Sequence, residues 1–118
     1  MTDTAATGRD LPHPEREDIR LESVLHALSD PMRLQIVREL ADQEAELTCS
    51  QFDLPVTKST TTHHFRVLRE SGVVRQVYRG TAKMNALRRD DLDGLFPGLL
   101  DSLLSAADRQ SLRLGVDA

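Results

Sequence analysis

Apolar residues in the first part of the chain recur at spacings of three and four, the period of a helix that buries one face. From Glu17 onward, Ile19, Leu21, Val24, Leu25 and Leu28 trace one such stripe. Ser29-Asp30-Pro31 interrupts it: Asp30 is a capping residue type and Pro31 suits a first helical position, so a second helix begins there. Its stripe is Leu34, Ile36, Val37, Leu40 and Ala41, and it ends near Asp42-Gln43. Thr48-Cys49-Ser50-Gln51 has the T-x-x-Q form of a capping box and predicts a short third helix. That helix must stop before Pro55, because the residue preceding a proline avoids helical geometry. Thr57 is the next cap, leading a fourth helix over Lys58–Glu70 with Phe65, Val67 and Leu68 available to the core and Gly72 closing it. The pattern then changes to strands over 73–78 and 81–86, joined by an Arg79-Gly80 turn. A last helical stretch over 88–107 carries Leu92, Leu95, Phe96, Leu99, Leu100, Leu103 and Leu104, with Pro97 kinking or dividing it.

Four helices, two strands and a final helix is the order of a winged helix-turn-helix: mainly α, with a small β-hairpin. The tight turn Asp53-Leu54-Pro55-Val56 between the third and fourth helices suits that motif. Residues 1–16, rich in Thr, Asp, Gly and Pro, read as a mobile arm; 17–107 as the folded domain; 108–118 as a flexible tail. With aromatics at 3% of 118 residues, the core must be built from Leu, Val, Ile and Ala, which favours packed helices over a β-sandwich. The single cysteine, Cys49, makes neither an internal disulfide nor a closed thiolate zinc site by itself. No apolar run is long enough for a membrane span and residues 1–10 carry no signal-like apolar stretch, so a cytoplasmic protein without membrane contact is expected. The chain shows no nucleophile–base constellation, phosphate loop or Gly-rich cradle, and neither an enzyme activity nor a cofactor is expected.

Charge changes the picture. The net of −4 argues against a polyanionic partner until the chain is divided. Residues 56–89 hold eight bases and one acid, Glu70, a net of +7, which leaves −11 on the remainder. A basic block in an acidic protein is the asymmetry expected when one face meets phosphates; a basic face solvated or paired with acids elsewhere is the plain alternative. The fourth helix sharpens the choice. A helix entering a DNA groove must present short polar and basic side chains in its first turns, and Lys58, Ser59, Thr60, Thr62 and His63 meet that requirement. Four consecutive hydroxyl residues are poor helix formers, so groove contact is a reason for them beyond local stability; a Ser/Thr-rich capping turn is the other. On the hairpin, Arg75, Arg79 and Lys83 with Tyr78 place basic tips beside this helix, where they fit phosphates or the minor groove or protect a strand edge.

Leu28-Ser29-Asp30-Pro31-Met32-Arg33-Leu34-Gln35-Ile36-Val37, followed by Ser59-Thr60-Thr61-Thr62-His63-His64-Phe65-Arg66-Val67-Leu68-Arg69-Glu70-Ser71-Gly72-Val73-Val74, resembles the ArsR-type family of bacterial transcriptional repressors. The resemblance implies a homodimeric winged-helix repressor that binds double-stranded operator DNA with an inverted repeat and releases it when an inducer, a small molecule or an ion, binds. It places Lys58, Ser59, Thr60, Thr62, His63 and Arg66 on the reading helix, gives His64 a mainly structural role, and places Arg75, Arg79 and Lys83 on the wing. It also implies pairing through the first and last helices. The apolar surface of Ile19, Val24, Leu25, Leu95, Leu99 and Leu103 agrees with this, unless those residues only cover the second helix of their own domain.

The family is best known for metal sensing, and here the chain departs from it. Where one family site has E-L-C-x-C, this chain reads Glu46-Leu47-Thr48-Cys49-Ser50, with hydroxyls at both ligand positions. A soft thiolate site is therefore not expected. A second family site needs D-x-H and H-x-x-E on the last helix; Asp91-x-Asp93 gives half of an altered version, Leu104 and Ala107 occupy the other half, and no histidine follows His64. His13 in the arm reads as solvated and His26 as packing near the dimer seam. Two other functions remain open on these residues: a winged-helix protein-interaction module using its acidic flanks, and a metal-binding protein with unconventional oxygen and nitrogen ligands.

Overall fold

Asp30 sits between the two apolar stripes and its carboxylate accepts the backbone N–H groups of Met32 (2.9 Å) and Arg33 (3.1 Å), two of the donors a helix start leaves without partners. The first stripe, expected as one helix from Glu17, is broken by extended backbone at Ile19 and Arg20 into a short 3-10 turn over Arg16–Asp18 and helix α1 (Leu21–Ala27), because Ile19 turns inward to the core. The second folds as α2 (Pro31–Gln43). The computed structural model describes residues 11–44, 46–48, 51–52 and 54–115. Thr57 caps α3 (Lys58–Glu70), its hydroxyl accepting the Thr60 N–H at 3.2 Å. Gly72 follows at φ 88°, and its amide donates to Arg69.

Strands β2 (Val74–Arg79) and β3 (Ala82–Leu87) form the expected hairpin, in the register Val74↔Leu87 to Arg79↔Ala82. The sheet is larger than a hairpin, however. A two-residue strand β1 (Leu47–Thr48) pairs antiparallel with β3, giving the order β1-β3-β2. Two residues carry no readable alternation, so the pattern of the sequence did not mark this strand. The expected capping contact is nevertheless made: the Gln51 side-chain oxygen accepts the Thr48 amide at 2.6 Å and the Thr48 hydroxyl at 3.1 Å. The third helix drawn from that box falls partly on residues 49, 50 and 53, outside the described residues.

Pro97 divides the last helical stretch into α4 (Arg89–Leu95) and α5 (Leu99–Leu114), separated by Gly98 at φ 81°. Helix α5 runs seven residues past Ala107, where the apolar stripe ends, and is closed by Gly115 in the left-handed conformation. The extension includes Asp108, whose carboxylate takes a two-nitrogen fork from Arg38 of α2 (3.1 and 2.7 Å). Residues 108–114, read as tail, are thus helical.

The core gathers Ala27, Leu28, Ile36, Val37, Leu40, Phe65, Leu68, Val73, Val74, Leu92 and Leu100, with Phe52 set edge-on to Phe65 at 5.3 Å. Ile19 and Val24, expected at a dimer seam, belong to this core, at 7% and 2% exposure. The short turn before α1 points Ile19 inward onto Gly72, and a Cβ built there would lie 2.5 Å from Ile19 Cγ1. Gly72→Ala combines that clash with a left-handed residue, so a loss of at least about 1–2 kcal/mol is expected, read as a lower midpoint in urea unfolding.

Candidate nucleic-acid interface

Helix α3 is divided cleanly between two faces. His64, Phe65, Leu68 and Arg69 are buried, whereas Lys58, Ser59, Thr62, His63, Arg66 and Glu70 are exposed at helical spacing. Adjacent His63 and His64 take opposite fates because neighbouring positions lie about 100° apart around a helix. His63 is on the outer face. Behind it, His64 Nδ1 lies 3.2 Å from the Arg33 guanidinium, and Arg33 also donates to the Ala27 carbonyl at 2.7 Å. Arginine has only donors, so Nδ1 is the acceptor and the His64 proton sits on Nε2, 3.9 Å from Asp30. The residue that caps α2 thus stands beside the histidine that fixes α3, and the two helices are locked at their junction.

The hydroxyl run has a mixed role. Thr60 is half-buried, and Thr57 donates to its oxygen at 2.9 Å, so it completes the cap. Thr61 and Thr62 donate to the backbone carbonyls four residues earlier, at 3.1 and 3.0 Å. The Thr62 hydroxyl proton is used in this way, while the side chain stays exposed and its oxygen can still accept. Such a surface suits a thymine methyl or a base amino group.

The basic block is not uniformly available. Arg69 and Arg88 are buried, the latter tied to Asp91 at 2.9 Å and to the Pro14 carbonyl at 2.9 Å. Arg89 reaches Asp101 at 2.5 Å, and Arg66 stands 4.0 Å from Glu70 one turn along. Arg79, on the wing, is forked onto both oxygens of Glu46 (2.9 and 2.7 Å). Among the described residues, no carboxylate lies within ion-pair distance of Lys58, Arg75 or Lys83, and Lys83 Nζ is 5.9 Å from the Tyr78 ring centre. The exposed, uncommitted charge is therefore smaller than +7 and concentrated at the start of α3 and on the wing.

The wing is joined to α3 by a buried polar chain. Arg69 Nη1 donates to the Gln76 oxygen (2.7 Å), Gln76 Nε2 to the Asn85 oxygen (2.7 Å), and Asn85 Nδ2 to the Leu47 carbonyl of β1 (3.0 Å). His13 Nε2 accepts the Gln76 amide at 3.0 Å, so this part of the arm is packed on β2 instead of solvated. Gln76 and Asn85 face each other across the hairpin, which only the register reveals.

With this geometry in place, residues 28–77 match the family described as a helix-turn-helix domain. The chain is 34% identical over 82 residues to an uncharacterised HTH-type transcriptional regulator, YceK, of Bacillus subtilis, spanning 68% of this chain and 82% of that one. An ArsR-like transcriptional regulator from a Rhodococcus species superposes with a TM-score of 0.55 at 27% identity, covering 80% of this chain and 86% of that one. The chain belongs to the ArsR-type winged helix-turn-helix transcriptional regulators. It is also similar to the transcriptional repressor BigR from Xylella fastidiosa (TM-score 0.52, 25% identity, 64% of this chain and 85% of that one). A further ArsR family regulator shares the fold at 21% identity and a TM-score of 0.57, over 78% of this chain and 93% of that one.

Among the described residues, no three His, Cys, Asp or Glu side chains of this ArsR-type regulator come together as a metal site, and no helix is long and apolar enough to cross a membrane. Cys49 lies outside the described residues. Of the remaining seam candidates, Leu25 is 43% exposed, while Leu95, Leu99 and Leu103 are half-buried. Leu95 and Leu103 pack on the core of their own protomer. Leu21, Leu112 and Leu114, which sequence reasoning did not name for a seam, are exposed apolar groups on α1 and α5.

Burial, chiefly, and the neighbouring arginines lower the pKa of both His13 and His64 below the ordinary imidazole value. The unfolded chain therefore takes up protons on these side chains before the folded one does. Stability is complete above about pH 6.5, the ordinary imidazole value, and is lost as pH falls below it through the lowered folded pKa values. Urea midpoints measured from pH 7.5 down to 5.5 should fall, and His64→Gln should flatten that fall.

Proposed function

We propose that this ArsR-type regulator is a repressor that binds an inverted-repeat operator as a homodimer in the cytoplasm, and that a small molecule or ion of unidentified chemistry releases it. One observation carries the reading: α3 presents Lys58, Ser59, Thr62, His63 and Arg66 on an outer face while Arg33 and His64 hold it rigidly from behind. Rigid presentation of short polar and basic groups is what base-edge contact requires. Thr60 contributes as the half-buried brace of the same turn. The wing adds Arg75 and Lys83 for phosphate contact, with Arg79 engaged by Glu46 in the free protein. The similar protein from Xylella fastidiosa is a transcriptional repressor, which supports this direction of regulation.

Pairing rests on α1 and α5. Leu112 and Leu114 are 84% and 62% exposed on an amphipathic helix whose buried residues are Leu100 and Ala107 alone. Together with Leu25, Leu99 and Leu103, they supply apolar surface for a second copy, and one winged-helix module by itself offers little area for tight specific binding.

Lys58→Ala and His63→Ala should each weaken binding to the DNA upstream of the protein's own gene by about 1–3 kcal/mol and change base preference, with circular dichroism unchanged. Arg75→Ala should weaken all sequences alike and lower the salt slope by about one per protomer. Wild-type affinity in both reading-helix variants removes this mechanism. In sedimentation equilibrium, Leu25→Asp combined with Leu112→Asp should convert a dimer to monomer and abolish operator binding at the same protein concentration.

A further inference from the structure

Arg79 is a wing-tip cation that the free protein already neutralises. It lies on β2, Glu46 immediately precedes β1, and β3 runs between those strands, so the ion pair reaches across the sheet. Both Glu46 oxygens are used, by Nε at 2.9 Å and Nη2 at 2.7 Å, in the bidentate arrangement that arginine also makes with a phosphate. A phosphate that takes Arg79 must therefore break an equivalent fork and leave the Glu46 carboxylate facing a polyanion. The other wing cations, Arg75 and Lys83, carry no such restraint from any carboxylate of the described residues.

Resting on the DNA-binding reading above, we propose that Glu46 is a specificity-determining residue: it holds Arg79 away from phosphates in loosely docked, sequence-independent complexes. Only a duplex seated in register by α3 presents a phosphate at a fixed place to make the exchange favourable. Glu46 therefore lowers non-specific affinity more than operator affinity, an unpaired-charge penalty built against the wrong complex. The pair also acts on protonation. The hydrogen bond from Arg79 lowers the Glu46 pKa and raises that of Arg79, so both groups stay charged near neutral pH.

The full-length protein is titrated with a mixed-sequence duplex and with the upstream DNA of its own gene, across a salt series. Glu46→Gln should bind the mixed-sequence duplex roughly twofold to fivefold more tightly per protomer, as expected for release of an exposed ion pair. Its log–log salt slope should steepen by about one per protomer, since Arg79 then displaces counterions. The ratio of operator to mixed-sequence affinity should fall. Glu44→Gln, an equal charge change two residues away, should leave all three quantities unchanged, and in an Arg79→Ala background Glu46→Gln should have no effect. If Glu46→Gln matches Glu44→Gln, or if its gain persists without Arg79, this proposal is overturned while Lys58-dependent operator binding still stands. If the wild-type chain binds neither duplex at low salt, the DNA-binding reading itself fails, and this one with it.

Discussion

A guanidinium buried beneath the wing fixes how α3 and the wing sit relative to one another. Arg69 leaves the inner face of α3 and meets Gln76, Gln76 meets Asn85, and Asn85 reaches the β1 backbone, so one chain of hydrogen bonds runs from helix through hairpin to the edge strand. The first two links are buried and the third is half-buried, and removing a buried member would strand its neighbour without a partner, which costs more than the bond itself contributes. Helix and wing are thereby held as one body. The position of Lys58 and His63 relative to Arg75 and Lys83 is set before any duplex arrives.

The second junction, at the turn between α1 and α2, works on the same principle at smaller scale. Asp30 caps α2, Arg33 bonds the end of α1 and the side of His64, and His64 is the buried neighbour of the exposed His63. A single turn of sequence thus connects the start of one helix to the orientation of the next. Burial behind α3, chiefly, and the Arg33 charge lower the pKa of His64 against the opposing pull of Asp30, so the geometry that orients α3 also makes the fold sensitive to acid.

An acidic protein that meets DNA must keep most of its own carboxylates away from the phosphates, and the structure does so selectively. Arg88 and Arg89 are used within the protomer against Asp91, Asp93 and Asp101, while the start of α3 remains open. Counting bases along residues 56–89 overstated the available charge because side chains distant in sequence meet in space: Arg79 with Glu46, and Arg89 with Asp101. Those pairings have no local signature.

Much of the fold was legible in the residues. Spacing of three and four set α2, α3 and the body of α1, though not where α1 begins; Asp30 and Thr57 set the starts of α2 and α3; Gly72 set a stop; and Pro97 marked the break before α5, because caps, glycine and proline act through the backbone of their immediate neighbours. The short polar side chains at the start of α3 were equally legible, since exposure on a helix follows from periodicity. What remained hidden depends on contacts across long stretches of chain. The strand β1, the packing of His13 on β2 and the burial of Ile19 and Val24 in their own protomer each require a partner surface whose position only the folded chain supplies. The sequence by itself determined α2, α3, the hairpin and the chemistry of the outer face of α3, because these arise from local sterics and periodicity. Which cations stay free to meet a phosphate, and which are already held, was decided by the tertiary structure, because charge pairing is a matter of distance in space.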